Sequence, residues 1–89
     1  MNELPRDVLS RIGHTSLLAL RNIVPPTNGS RIVLKLENEN PTGSIKDRMA
    51  LAMIEAAEAD GRLEAGGSVV EYTGGSTGVS LSLVCTVKG

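Results

Sequence analysis

Between Arg31 and Lys88 the hydrophobic pattern changes character from one stretch to the next, and that succession limits the fold more than any other feature of the chain. "RIVLKLE" alternates, with Ile32, Leu34 and Leu36 on one face and Val33, Lys35 and Glu37 on the other, which predicts a half-buried strand. Ser44 followed by Asp47 fits a helix start, with a capping hydroxyl and a carboxylate three residues on. The helix then carries Ile45, Met49, Ala52, Met53 and Ala56 as one stripe at helical spacing and closes at Asp60 and Gly61, a left-handed cap. "SVVEY" is short and β-branched and predicts a buried strand over Ser68 to Tyr72. From Val79 to Lys88 the chain is apolar almost all round, as expected of a helix enclosed on most sides. The order strand, helix, strand, helix predicts an α/β fold, with two parallel strands and a right-handed crossover in a partial parallel-sheet βαβα unit over residues 31–89.

Residues 1–30 form a leader with apolar patches around Val8 to Ile12 and Leu17 to Val24, broken at "PPTNGS" by Pro25, Pro26, Asn28 and Gly29, a turn or loop. A chain of 89 residues buries only roughly 60 to 65% of its unfolded surface. Two strands and two helices cannot cover both faces of a parallel sheet and also enclose the last helix, so a further packing surface is expected from a partner chain or from more of the same chain. With 40% apolar residues, 21% charged residues and a net charge of -1, the composition is that of an ordinary globular sequence, neither disordered nor membrane-spanning. Basic residues are scattered and Tyr72 is the one aromatic, which speaks against nucleic acid as a partner. "MNELPRDVLSR" mixes both charge signs without a long apolar run, so it reads as neither a secretory signal nor a membrane span, and a cytoplasmic setting is the default. His14 is the sole histidine and has no cysteine or carboxylate cluster beside it, so no metal site is expected. Cys85 sits among Leu81, Leu83, Val84 and Val87, as a small buried hydrophobe would.

Lys46 and the loop "TGGSTG" carry the chemistry. Lys46 falls in the first turn of its helix, where unpaired amides and the macrodipole disfavour a cation. An amine held toward neutrality is the better nucleophile, and attack on an aldehyde to form a Schiff base benefits most from it. The competing reading is a solvated, self-compensating cluster of Lys46, Asp47 and Arg48. In the loop, adjacent Gly74 and Gly75 let backbone amides turn toward an anion, with Ser76 and Thr77 adding hydroxyls at a helix start. It matches neither the nucleotide P-loop nor the dinucleotide fingerprint, and a plain strand-to-helix turn is the alternative.

Taken together, "IGHTSLLAL", "KLENENPTGSIKDR" and "EYTGGSTGVSL" resemble the opening third or so of the fold-type II pyridoxal-phosphate enzymes, in the cysteine synthase and cystathionine β-synthase branch, which is related to the tryptophan synthase β-chain. The resemblance runs from Ile12 onward in the right order. It implies that pyridoxal 5'-phosphate is the cofactor, that Lys46 binds it as a Schiff base and later carries the α-proton, and that Thr73, Gly74, Gly75 and Thr77 face the carboxylate of an amino-acid substrate. Ser76 stands where the family commonly has an asparagine contacting the cofactor ring oxygen. Gly74 stands in place of a serine, and Tyr72 stands where proline is common. The implied activity is β-replacement or β-elimination on an O-activated serine, as in cysteine biosynthesis, in a parent enzyme that is a homodimer. The family's phosphate-binding loop and pyridine-nitrogen partner would lie beyond Gly89, so residues 1–89 are expected to be an amino-terminal portion, inactive alone, whose leader packs on another domain. The alternative is a non-catalytic interaction or packing module, or the product of a decayed gene.

Overall fold

The computed structural model describes residues 7–22 and 29–89. The Pro25 to Asn28 part of the expected loop lies outside the described residues. The chain opens with a 3-10 turn at Val8–Arg11, capped by Asp7, whose carboxylate accepts from the Leu9 amide. Two short strands follow, β1 (Leu17–Ala19) and β2 (Val33–Lys35), then a second 3-10 turn at Glu37–Glu39 and the helices α1 (Lys46–Ala59) and α2 (Ser76–Lys88). The α/β class read from the sequence is the one observed, in a different pairing.

β2 lies inside the predicted strand, but its partner is β1, antiparallel, with Leu17 opposite Lys35, Leu18 opposite Leu34 and Ala19 opposite Val33. The leader therefore supplies a strand. Ser68–Tyr72, expected to be the second strand of a parallel pair, belongs to no ladder, and Val70 and Tyr72 are fully open to solvent, at 93% and 102% exposure. A β-branched run favours extended backbone, but a strand exists only where a neighbour accepts its hydrogen bonds. Among the described residues β2 is bonded to β1, and no strand lies beside 68–72.

α1 ends as predicted, with Asp60 at its cap and Gly61 at φ +84°, in the left-handed region that glycine adopts without strain. Its buried face is not the predicted one. Ile45, Met49, Ala52, Met53 and Ala56 are exposed, whereas Asp47, Ala50 and Ile54 are buried. Both sets have helical spacing, and α1 carries apolar residues around much of its circumference. The neighbouring α2 chose the face. α2 is likewise enclosed on one side only: Ser80, Leu81 and Val84 are buried and Val79 is exposed. Cys85 is half-buried against the core, close to the place its surroundings predict.

The two helices run parallel and in register. Asp47 meets Ser80 near their amino ends. At the carboxyl ends Lys88 Nζ lies 2.8 Å from Glu58 Oε1 and 3.8 Å from Glu55 Oε2, contacts that raise the Lys88 pKa, through the Glu58 hydrogen bond above all. Between these ends Ala50, Ile54, Leu81 and Val84 join Leu9 and Ile12 of the first 3-10 turn in the core. Each fully buried aliphatic side chain stabilises a fold by about 1.5–3 kcal/mol, so this core is small. Val69 and Val70 instead border a shallow groove along Met53, Ile54, Ala57 and Leu63.

Candidate active site

The segment "NPTGSIKDR" is a clamped turn leading into α1. Gly43, at φ +84°, donates its amide to the Asn40 carbonyl at 2.7 Å and reverses the chain. Ser44 Oγ accepts from the Lys46 amide at 3.0 Å, so the predicted hydroxyl does serve the helix start. Asp47 does not join Ser44 in serving the helix start. The Asp47 carboxylate instead accepts from the Thr42 amide at 2.8 Å, from the Thr42 hydroxyl, and from the Ser80 hydroxyl of α2. This carboxylate is fully buried, where a polar group left without partners would be costly.

Arg48 and Asn40 fasten the same turn to the start of the chain. Arg48 Nε donates to Glu37 Oε2 at 2.7 Å, and Nη2 donates to Glu37 Oε1, the Gly13 carbonyl and Thr15 Oγ1 at 2.9, 3.0 and 3.0 Å. The Arg48 hydrogen bond, joined by one from Thr15, holds the Glu37 carboxyl at about 2, well below the ordinary carboxylate range, and Glu37 in turn raises the Arg48 pKa. Asn40 is buried, accepts the Gly13 amide at 2.8 Å through Oδ1, and donates Nδ2 to the carbonyl and the Oε2 of Glu37, each at 2.9 Å. Sequence reasoning found the motif but not this network. The available signal was the recurrence of small or polar residues at Gly13, Thr15, Glu37 and Asn40 beside apolar stretches. His14, in the same segment, is exposed, and among the described residues no cluster of histidine, cysteine and carboxylates could hold a metal ion.

Lys46 begins α1 with its side chain exposed, and among the described residues its ammonium has no ion pair or hydrogen bond. Such an amine is free to meet a ligand. The self-compensating cluster is not formed, because Asp47 turns inward to Thr42 and Ser80, and Arg48 turns to Glu37.

The loop before α2 closes around Thr73, whose Oγ1 accepts from the Gly75 amide at 3.3 Å and the Gly78 amide at 3.0 Å. A Cβ at Gly78 would stand 2.7 Å from Thr73 Cγ2, so Thr73 can sit this close only because Gly78 lacks a side chain. Around Gly74 and Gly75 there is open space. α2 has no side-chain cap, so the Ser76 and Thr77 amides have no partner among the described residues. The loop is a tight turn that leaves backbone donors unpaired at the start of α2. Because α1 and α2 are parallel, Lys46 and residues 73–77 occupy the same end of the pair, where two helix amino termini favour negative charge. An exposed primary amine beside uncapped amides and open glycines suits an aldehyde that carries anionic groups, and pyridoxal phosphate has that chemistry.

Comparison with known proteins places the chain in a family of cofactor enzymes. The chain belongs to the pyridoxal-phosphate dependent enzyme family, whose profile matches residues 8–89. It is similar to a cysteine synthase of Staphylococcus aureus, with 47% identity over 90 residues covering 100% of this chain and 29% of the relative. Among solved structures it resembles an O-ureido-L-serine synthase at TM-score 0.88 and 37% identity, over 98% of this chain and 27% of that one. A hydrogen sulfide-producing enzyme from Fusobacterium nucleatum superposes with TM-score 0.87 and 42% identity, over 99% of this chain and 28% of the other. The chain thus spans less than a third of the length of these relatives and matches the amino-terminal portion of cysteine synthase-like, fold-type II enzymes. No described helix is long and apolar enough to cross a membrane.

Proposed function

We propose that this chain is the lysine-bearing portion of a cysteine synthase-like enzyme that performs β-replacement or β-elimination on an O-activated serine. The observation that carries this reading is the parallel registration of α1 and α2, which sets Lys46 and the Thr73–Thr77 loop at one end of the helix pair. The relatives, a cysteine synthase and an O-ureido-L-serine synthase, support this substrate class.

In this reading Lys46 Nζ holds the cofactor covalently. Bound there, pyridoxal phosphate supplies an electron sink for the bonds at the substrate's α-carbon. The Thr73, Gly74, Gly75 and Thr77 positions bind the substrate carboxylate through amides and hydroxyls, and Ser76 Oγ donates to the cofactor's ring oxygen. Lys46 Nζ, once free, takes the α-proton while the β-substituent leaves with its bonding pair. In β-replacement a nucleophile then bonds to the β-carbon and Lys46 returns the proton to the α-carbon. Residues 1–30 are the leader and 31–89 the unit that holds both motifs. Full turnover requires the remainder of such an enzyme, as a homodimer in the cytoplasm.

A second reading, a non-catalytic packing module, is favoured by the open apolar side chains of Val70, Tyr72 and Val79. Incubation with pyridoxal phosphate, borohydride reduction and peptide mapping separate the two. A single adduct at Lys46, absent in Lys46→Ala, is the expected result. Label shared evenly among Lys35, Lys46 and Lys88 would leave the module reading standing.

A further inference from the structure

We propose that Asp47 and Ser80 form a positioning pair that sets the Lys46 turn at a fixed height against the Thr73–Gly78 loop. The inference rests on the functional reading of those two segments.

Asp47 and Ser80 are each fully buried and hydrogen-bonded to one another, beside the apolar core. Among the described residues no cation touches Asp47, whose partners are the Thr42 amide and hydroxyl and the Ser80 hydroxyl. A buried carboxylate held by neutral donors is a poor way to gain stability, since apolar residues of similar size would pack the same space without desolvating a polar group. What the pair adds is direction. Ala50, Ile54, Leu81 and Val84 attract one another without a preferred register, whereas a hydrogen bond weakens steeply once its length and angle leave a narrow range.

The pair sits where register matters. Asp47 follows Lys46 directly, so fixing its carboxylate fixes the turn from which the lysine projects. Its bond to the Thr42 amide also holds the chain entering that turn. Ser80 lies one helical turn beyond Ser76, so its hydroxyl fixes the axial position of the first turn of α2 and of the amides the loop presents. Both side chains are closed off from solvent. Both act through their neighbours.

Ser80→Ala removes one oxygen and leaves a good helix former, so the helices should persist in that variant. Amide hydrogen exchange and pyridoxal phosphate labelling with borohydride are then read on the whole chain. The expected result is faster exchange at the Gly75, Gly78 and Thr42 amides, with Ala50 to Ile54 still protected. The share of label at Lys46, relative to Lys35 and Lys88, should fall roughly tenfold, the equivalent of one lost hydrogen bond to a charged group. Ser80→Thr, which keeps the hydroxyl, should restore both readouts, and Asp47→Asn should loosen Thr42 most. Unchanged loop exchange and label distribution in Ser80→Ala would overturn the proposal. So would a uniform loss of protection along both helices, which marks a plain stability contact. Even labelling in the unmodified chain would defeat the functional reading of Lys46, while the exchange pattern would still decide whether the pair couples the two segments.

Discussion

Arg48 grips Glu37 with two hydrogen bonds, Nε to Oε2 at 2.7 Å and Nη2 to Oε1 at 2.9 Å, and through the same Nη2 reaches the Gly13 carbonyl and Thr15. One side chain of α1 thereby holds the turn that follows β2 and the segment that precedes β1. The antiparallel β1–β2 ribbon adds little core of its own, since its side chains are exposed. Its attachment to the helices depends on this polar junction, to which Lys35 adds a bond from Nζ to the Thr15 carbonyl at 2.8 Å.

Arg48→Lys should therefore loosen the ribbon even though the charge is kept. A lysine ammonium cannot reproduce the planar fork that meets both Glu37 oxygens and also spans to Gly13. Exchange at the Leu20 and Leu36 amides, which donate to the Ile32 and Ser16 carbonyls, should rise while α1 stays protected. Equal protection in the two proteins would show that the ribbon is held by something else.

The same junction sets an acid limit. The Glu37 carboxyl is lowered from its ordinary 4.5 to about 2, so the folded chain binds fewer protons than the unfolded chain between those values. Its contribution is complete above about pH 4.5 and is lost as the pH falls toward 2. In thermal melts the gap between the unmodified chain and Glu37→Gln should be constant above pH 5 and close progressively below it. A gap that widened on acidification would contradict this sign.

Gly78→Ala tests the closure of the loop. The new methyl would stand 2.7 Å from Thr73 Cγ2, so Thr73 must move and the bonds from Gly75 and Gly78 to its Oγ1 are strained. Loss of a neutral hydrogen bond of this kind costs about 1 kcal/mol, partly offset by alanine's better helix propensity. The expected outcome is a near-neutral melting temperature with a several-fold rise in exchange at Gly75. An unchanged Gly75 amide would mean that Thr73 does not organise the loop.

Two substitutions on α1 distinguish its faces. Ile54→Ala empties a buried site and should cost about 2–5 kcal/mol, enough to threaten a core of this size. Met53→Ala removes a side chain that is 49% exposed and should cost well under half as much in a urea titration. The reverse order would favour the stripe of Met49 and Met53 as the packed face.

The local elements were legible because their causes are local. Ser44 at the start of α1, Asp60 and Gly61 at its end, and the apolar run from Val79 that lies in α2 all depend on backbone chemistry within a turn or so of each residue. The nine residues from Asn40 to Arg48 and the loop from Thr73 to Gly78 could be read in the same way, as candidate chemistry with a family resemblance.

What the sequence alone could not decide was which neighbour each element would meet. α1 offered two apolar stripes, and burial fell on Ala50 and Ile54 because α2 lies on that side. β2 was expected to pair with Ser68–Tyr72 and instead pairs with Leu17–Ala19, since a strand's partner is whichever backbone reaches its edge. Asp47 read as the carboxylate of a helix start, yet its carboxylate is spent on Thr42 and on Ser80, 33 residues away. Propensity and capping act over a few residues, but the burial of a carboxylate or the choice of a helix face is settled by groups that only the tertiary fold brings within hydrogen-bond or van der Waals reach.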